Sequence, residues 1–101
     1  MGKVFLTGRI YDNLKITKIG RGPRHCWFQL ATNISIIRDG ERAADYVNCV
    51  VWGEQAIELV KTKRRGNLIG IEGEEKIKVE VLNNEVKHIP YISIRKIEYL
   101  D

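Results

Sequence analysis

The sequence predicts an all-β domain with one short α-helix, and three observations support this fold class. Apolar and polar residues alternate with a period of two over most of the chain, which is typical of strands that bury one face. The alternation gives way to helical spacing in the segment "EQAIELVKTKRRG". The 101 residues are enough for one hydrophobic core, so residues 1–101 are expected to form a single domain.

The first strand is predicted from a period-two run between Val4 and Ile10. Gly8 interrupts the apolar side of this run and is expected to mark a bulge or bend. The next segment, "NLKITKIGRGPRH", combines glycines, a proline and several cations, and is therefore predicted to be an exposed basic loop. Its cations are Lys15, Lys18, Arg21 and Arg24.

The second and third strands are predicted on either side of a tight turn. "HCWFQLATNISII" is the second strand, in which Phe28 faces the core and Trp27 faces the opposite side. "RDGER" is expected to turn the chain at Asp39-Gly40, and "AADYVNCVVW" is the third strand.

The remaining elements define the topology. In "EQAIELVKTKRRG", Ala56 and Leu59 share one helical face, and Gly66 is a typical C-terminal stop. "NLIGIEGEEKIKVEVL" is the fourth strand, Asn83-Asn84 turns the chain, and "HIPYISIRKIEYL" is the last strand. Three strands, a helix and two strands are the order of the OB-fold, a five-stranded Greek-key barrel, although periodicity alone also allows another small barrel.

The composition indicates a soluble protein with a polyanionic partner. The net charge is +4, and clustered Lys and Arg bind phosphates by releasing counterions, although many basic proteins bind no nucleic acid. The N-terminal "MGKVFLTGRI" does not resemble a signal peptide, and no apolar run approaches the roughly 20 residues of a membrane span. We therefore expect a cytoplasmic protein with no membrane partner.

No catalytic site, metal site or cofactor is predicted. Cys26 and Cys49 belong to no C-x-x-C pair or Cys/His cluster, so they are expected to be buried thiols rather than zinc ligands or a disulfide. His25 and His88 show no spacing of a nucleophile-histidine set. Four acidic residues near turns could suggest a metal-dependent nuclease, but Asp and Glu are ordinary there: Asp12, Asp39, Glu41 and Asp45.

Read in order, "GKVFLTGRI", "FQLATNIS", "DYVNCVVWGEQAIELVKTKRRGNLIGIEG" and "YISIRKIEYL" resemble the bacterial-type single-stranded DNA-binding protein family. "GPRHCWFQL" also resembles primosomal replication protein N, a related short OB-fold. The resemblance implies a cytosolic homotetramer that pairs its first strands into dimers. It also implies binding of single-stranded DNA without strong sequence preference, in DNA replication, repair or recombination.

The resemblance also assigns roles to individual residues. Tyr46, at the start of the third strand, and Trp52, just before the helix, match the family's base-stacking aromatics. Lys76 and Lys78 match basic residues of the hairpin that follows, and Arg65 matches the basic position at the end of the helix.

The chain departs from the family pattern in two aromatic positions and at its end. Ile36 and Ile37 stand where an aromatic is common after the second strand, and Val79 or Glu80 stands where one is frequent near the hairpin tip. Fewer stacking platforms imply weaker binding per nucleotide. The family's Gly- and Pro-rich tail with an acidic tip has no counterpart after "RKIEYLD", which indicates a tailless phage, plasmid or accessory type, or a trimmed chain.

Each aromatic candidate has a structural alternative. Stacking on Tyr or Trp contributes about 1–3 kcal/mol per base, whereas Trp52 could instead complete the core at the strand end. Tyr46 is expected to share its outward side with Asn48 and Val50. Trp27 is either a third stacking platform or part of a subunit interface. Tyr91 and Tyr99 are expected to be packing residues.

The cations have alternatives as well. Those of the first loop could simply keep it solvated, although OB-folds use this loop to bind oligonucleotides. Lys76 and Lys78 alternate along one strand and so face the same way, as phosphate contacts would. Arg65 could serve only to stabilise the helix C-terminus.

The function predicted from these residues is non-catalytic binding of single-stranded DNA by aromatic stacking and a basic groove. One alternative is a replication-restart accessory, a dimer that contacts DNA and a replication protein. The other alternative is a protein-interaction barrel without nucleic acid.

Overall fold

The computed structural model describes the backbone of residues 2–38 and 41–101 and the side chains of residues 2–32 and 45–101. Within these residues, five strands and one helix follow one another in the predicted order. The elements are β1 (Lys3–Ile10), β2 (His25–Arg38), β3 (Glu41–Trp52), α1 (Gly53–Thr62), β4 (Leu68–Leu82) and β5 (Glu85–Tyr99). The turn predicted at Asp39-Gly40 lies outside the described residues.

The strands close into a barrel in the order β1-β2-β3-β5-β4, and β4 returns to pair with β1. Neighbouring strands are antiparallel except β3 and β5, which run parallel and pair at Cys49–Ile92 and Val50–Ser93. A barrel of this order with a helix between β3 and β4 is the OB-fold, so the predicted fold class is confirmed.

Gly8 lies where β1 pairs with both of its neighbours, with Thr32 on β2 and Ile69 on β4. The pairs run through Gly8 without a shift of register. A Cβ atom there would collide with the carbonyl oxygen of Ala31. Glycine is therefore required for the close approach of two backbones at the barrel corner, rather than for a bulge.

The core is formed by the inward faces of the five strands and the buried face of α1. Its buried residues are Ile10, Cys26, Phe28, Leu30, Cys49, Val51, Ala56, Leu59, Ile69, Ile71, Ile92 and Ile94. Burial raises the pKa of the Cys49 thiol to about 12 and also raises the pKa of Cys26. Both cysteines are thus neutral packing residues, as predicted.

Helix α1 ends at Thr62, four residues before the predicted stop. Lys63 already has an extended backbone, and the side-chain oxygen of Asn67 accepts the Arg64 N–H at 2.8 Å. Gly66, with φ 95°, belongs to this turn into β4 rather than to a helix cap. Arg65 therefore lies outside the helix. Across the described residues, no helix reaches the length and apolarity of a membrane span.

The predicted turn at Asn83-Asn84 connects β4 and β5. Both residues have positive φ, 52° and 62°, which is typical of a type I′ hairpin turn. Strand β5 begins at Glu85, three residues earlier than predicted. Over residues 77–90, which we call the hairpin arm, β4 and β5 pair with each other, beyond the pairs that join them to β1 and β3.

Candidate nucleic-acid interface

Among the described side chains, three aromatic pairs lie along the outer surface of the sheet, which we call the aromatic wall. Its central strands are β2 and β3, whose register places Tyr46, Val50 and Trp52 opposite Ala31, Trp27 and His25. The pairs and their centroid distances are Tyr11–Tyr46 at 4.7 Å, Trp27–Tyr91 at 5.0 Å and His25–Trp52 at 4.9 Å. Aromatic contacts of this kind stabilise each pair by about 0.5–1.5 kcal/mol beyond the area that they bury.

The three predicted aromatic candidates are all exposed. The exposed fractions of Trp27, Tyr46 and Trp52 are 38%, 48% and 42%, so none of them is a core residue. Phe28, the neighbour of Trp27, is buried in the core, as the alternation predicted. The surface of these rings is therefore accessible to a planar ligand.

Val50 and Asn48 share the side of Tyr46, as predicted, but they are less exposed than Tyr46. Val50 is fully buried, but it does not belong to the core inside the barrel. It lies opposite Trp27 on one side and Ser93 on the other, and cross-strand neighbours this close cover a small side chain.

Lys78 lies over the ring of Trp27 in a cation–π contact. Its Nζ atom is 5.1 Å from the ring centroid and 3.0 Å from a carboxylate oxygen of Glu80. Lys76 precedes it by two residues on β4, opposite Tyr91 of the second aromatic pair. The structure thus brings both predicted lysines to the side of the aromatic wall, where the hairpin arm begins.

Arg65 lies in a different place. Together with Lys63 and Arg64 it lines a concavity of about 460 Å³ that also includes Asn13 and Leu14. In the described part of the chain, none of the six paired rings lines this concavity. Arg65 is therefore not part of the aromatic wall.

The four predicted cations of the first loop are exposed. The end of this loop is fixed, because Thr17 and His25 exchange two backbone hydrogen bonds of 2.8 Å. The Gly53 N–H also donates to the Arg24 carbonyl at 2.8 Å. Arg24 and Lys18, which flank the bridge between His25 and Thr17, therefore lie next to the end of the wall formed by His25 and Trp52.

Three rings of the wall were not among the predicted site residues. Tyr91 does pack, as predicted, but it packs against Trp27 outside the barrel core. Tyr11 follows β1 directly and contacts Tyr46, and His25 contacts Trp52. Alternation places a residue on a face, but the strand register decides which rings meet, so the sequence carried no clear signal for these pairs.

The acidic candidates do not assemble into a metal site. The Asp12 carboxylate accepts a hydrogen bond from the backbone N–H of Gln29, and Asp45 is exposed on β3. The side chains of Asp39 and Glu41 lie outside the described residues, as do those of Ile36 and Ile37. Among the side chains that are described, no group of three or more His, Cys, Asp or Glu could hold a metal ion.

Comparison with protein families gives a match over nearly the whole chain. The model of the Single-strand binding protein family matches residues 1–100. This chain belongs to the single-strand binding protein family. The prediction from the sequence motifs is thereby confirmed, and proteins of this family are non-enzymatic, in agreement with the predicted lack of catalysis.

Curated single-strand binding proteins match at moderate identity. The single-stranded DNA-binding protein of Bacillus cereus is 34% identical over 72% of this chain, and the match covers 44% of its own length. Single-stranded DNA-binding protein 1 of Clostridium acetobutylicum is 27% identical over 100% of this chain and 94% of its own length. The chain thus spans less than half the length of the Bacillus relative and nearly all of the Clostridium relative.

Solved structures of single-strand binding proteins share the fold. The structure of the Plasmodium falciparum single-strand binding protein in complex with single-stranded DNA has a TM-score of 0.82 at 23% identity and covers 100% of this chain and 96% of that chain. The small single-stranded DNA-binding protein of Streptomyces coelicolor has a TM-score of 0.73 at 11% identity, with coverages of 96% and 92%. At these identities, the comparison shows the fold.

Proposed function

We propose that this chain binds single-stranded DNA without strong sequence preference, by stacking bases on the aromatic wall. The observation that carries the proposal is the row of paired rings on one outer surface of an OB-fold barrel, of which Tyr11, Trp27, Tyr46 and Trp52 are exposed. Every base presents a π surface, so stacking tolerates any sequence. Relatives named as single-stranded DNA-binding proteins, and one solved in complex with single-stranded DNA, add support.

The rings define a path for the DNA strand. Tyr46 and Trp52 are six residues apart on β3, a separation of about 20 Å along an extended strand. Trp27 lies between them, at the level of Val50. Trp27 therefore serves as a third stacking platform and compensates for the aromatic that this chain lacks near Ile36 and Ile37.

The cations hold the sugar-phosphate backbone beside this path. A base stacked on Trp27 carries its phosphate close to Lys78, and Lys76 extends the contact along β4. Arg24 and Lys18 contact the backbone at the Trp52 end of the wall. Arg65 and the other loop cations, Lys15 and Arg21, contact the strand where it continues past the wall.

A titration of intrinsic tryptophan fluorescence with oligo(dT) tests the proposal. Trp27 and Trp52 are the two tryptophans of the chain, and both lie on the wall, so stacking should quench the emission at low salt. Unchanged emission together with unchanged polarisation of a labelled oligonucleotide would contradict the proposal. That result would favour a protein-interaction barrel without nucleic acid.

The role of Lys78 in phosphate binding is testable through salt. For single strands, the logarithm of the affinity falls with the logarithm of the salt concentration by about 0.7 per neutralised phosphate. Lys78→Gln should reduce the slope by about this amount. Lys96→Gln is the control, because it removes the same charge from a different part of the surface. Lys96 lies with Phe5 and Glu98 around another concavity. This variant should leave the salt dependence of the affinity unchanged. An equal effect of both variants would mean that only net charge matters.

We also propose that the chain self-associates, as a homodimer or homotetramer, and acts with replication proteins in the cytoplasm. Family membership supports this assembly. The family resemblance assigns dimer pairing to β1, and Phe5 on this strand is 67% exposed and offers an apolar surface. The mass in solution should be two or four times the 11.7 kDa of one chain, with and without oligo(dT). A monomer mass at micromolar concentration would contradict this part of the proposal.

A further inference from the structure

The ring of Trp27 is partly covered by its neighbours. Tyr91 contacts the ring at a centroid distance of 5.0 Å, and Val50, the cross-strand neighbour of Trp27, is fully buried. The ammonium group of Lys78 lies over the same ring, 5.1 Å from its centroid. Trp27 is still 38% exposed, so one flexible side chain, rather than the core, limits access to the ring.

Lys78 occupies the place that a stacked base would take. A cation–π contact and a stacked base both require the face of the ring. Stacking of a base on tryptophan is stronger than a cation–π contact at an exposed site, so a base can displace the ammonium group. The displaced lysine has a long, flexible stem and can follow to a nearby phosphate.

Glu80 holds Lys78 in this position. Its carboxylate lies 3.0 Å from the Lys78 Nζ atom, and the side chains of Lys78 and Glu80 are 46% and 44% exposed. One residue separates the two on β4, so they stand on the same face of the strand. A carboxylate and a phosphate are both anionic acceptors for a lysine. Glu80 therefore makes the contact that a DNA phosphate would make.

We propose that Glu80 acts as a stand-in for a DNA phosphate, which keeps Lys78 on the Trp27 ring until DNA takes the lysine over. The inference rests on the proposed function. Glu80 is a positioning residue for Lys78 and lowers the affinity for DNA. The exchange couples the stacking of a base on Trp27 to a phosphate contact at Lys78.

The Glu80→Gln variant tests this role through the affinity for oligo(dT). It frees Lys78 from the ion pair, so binding at low salt should become about two- to fivefold tighter, the range for one exposed ion pair. The gain should shrink at high salt, which screens the pair in the wild-type protein. Glu85→Gln is the matched control, because it removes the same charge from the same arm, next to the turn. Its effect should be smaller.

A double-variant cycle identifies the cation through which Glu80 acts. In a Lys78→Gln background, the effect of Glu80→Gln should fall to that of Glu85→Gln. In a Lys87→Gln background the gain should persist, although Lys87 lies directly opposite Glu80 in the register of β4 and β5. Dependence on Lys87 instead of Lys78 would show that Glu80 only neutralises the arm, and the assignment would be wrong.

The cover on Trp27 can be measured without DNA. Trp52→Phe leaves Trp27 as the one tryptophan of the chain, and quenching of its emission by acrylamide reports how accessible the ring is. In this background, Lys78→Ala should increase the quenching. Lys76→Ala shortens a lysine two residues earlier on the same strand and should not. Unchanged quenching in Lys78→Ala would show that Lys78 does not cover the ring, and the inference would fall.

The affinities separate this inference from the proposed function. A gain in Glu80→Gln that exceeds the gain in Glu85→Gln and requires Lys78 supports the exchange. A gain that equals the control, or that survives the loss of Lys78, overturns the exchange but leaves the proposed function standing. Failure of the wild-type protein to bind oligo(dT) overturns both.

Discussion

The aromatic wall and the hairpin arm both expose apolar side chains, but their surroundings differ. Five of the six rings of the wall stand on strands that form part of the closed barrel, Tyr11 follows β1 directly, and the rings contact one another in pairs. The arm exposes aliphatic residues on two strands that pair with each other: Ile77, Val79, Val81 and Val86. Exposure of apolar residues therefore does not by itself identify a base-binding surface.

What distinguishes the two regions is the support beneath the side chains. Val50 is fully buried between β2 and β5 at the level of Trp27, so the wall there is part of a packed sheet. A two-stranded hairpin in water has only marginal stability of its own. The wall can hold rings in fixed positions for stacking, whereas the arm depends on its turn and on cross-strand pairs.

The largest difference between the two regions should appear in stability. Leu30→Ala removes a fully buried side chain from the barrel and should lower the free energy of unfolding by about 2–5 kcal/mol. Leu82→Ala is the same change at the end of the arm, where the side chain is 59% exposed, and should stay within about 0.5 kcal/mol. Urea unfolding of both variants measures the contrast, and similar losses would show that the arm is as tightly packed as the barrel.

The next difference should appear in DNA affinity. Tyr46→Ala removes a ring from the wall and should weaken binding of all sequences by about 1–3 kcal/mol. Val79→Ala shortens an exposed aliphatic side chain on the arm and should change the affinity little, because it offers no π surface to a base. Polarisation titrations with oligonucleotides of different composition make the comparison. A loss confined to one sequence in Tyr46→Ala would contradict stacking.

The smallest effect should be confined to the arm. Asn84 has a φ of 62°, a left-handed conformation that strains every residue except glycine. Asn84→Gly removes this strain but raises the entropy of the unfolded chain. The free energy of unfolding should therefore rise by a net amount of about 0.5 kcal/mol. Amide hydrogen exchange should slow in the arm and remain unchanged in the barrel. Glu85→Gly, one residue later in extended β5, is the control and should speed exchange in the arm. Faster exchange in Asn84→Gly would contradict this account of the turn.

Several features followed from the sequence by itself. The period-two alternation placed Phe28 in the core and Trp27 outside it, because successive side chains of a strand point to opposite faces. Asn83-Asn84 determined the hairpin turn, since asparagine tolerates positive φ. The order of the elements predicted the OB-fold, and the motif around Tyr46 and Trp52 predicted the family.

The tertiary structure alone decided which residues meet. His25 contacts Trp52, and Trp27 contacts Tyr91, because of strand register and barrel closure, which join segments far apart in the chain. Barrel closure also buried Val50 on the outward side of its strand. Local patterns determine the face that a side chain takes, whereas its neighbours across the sheet depend on long-range pairing that no local pattern contains.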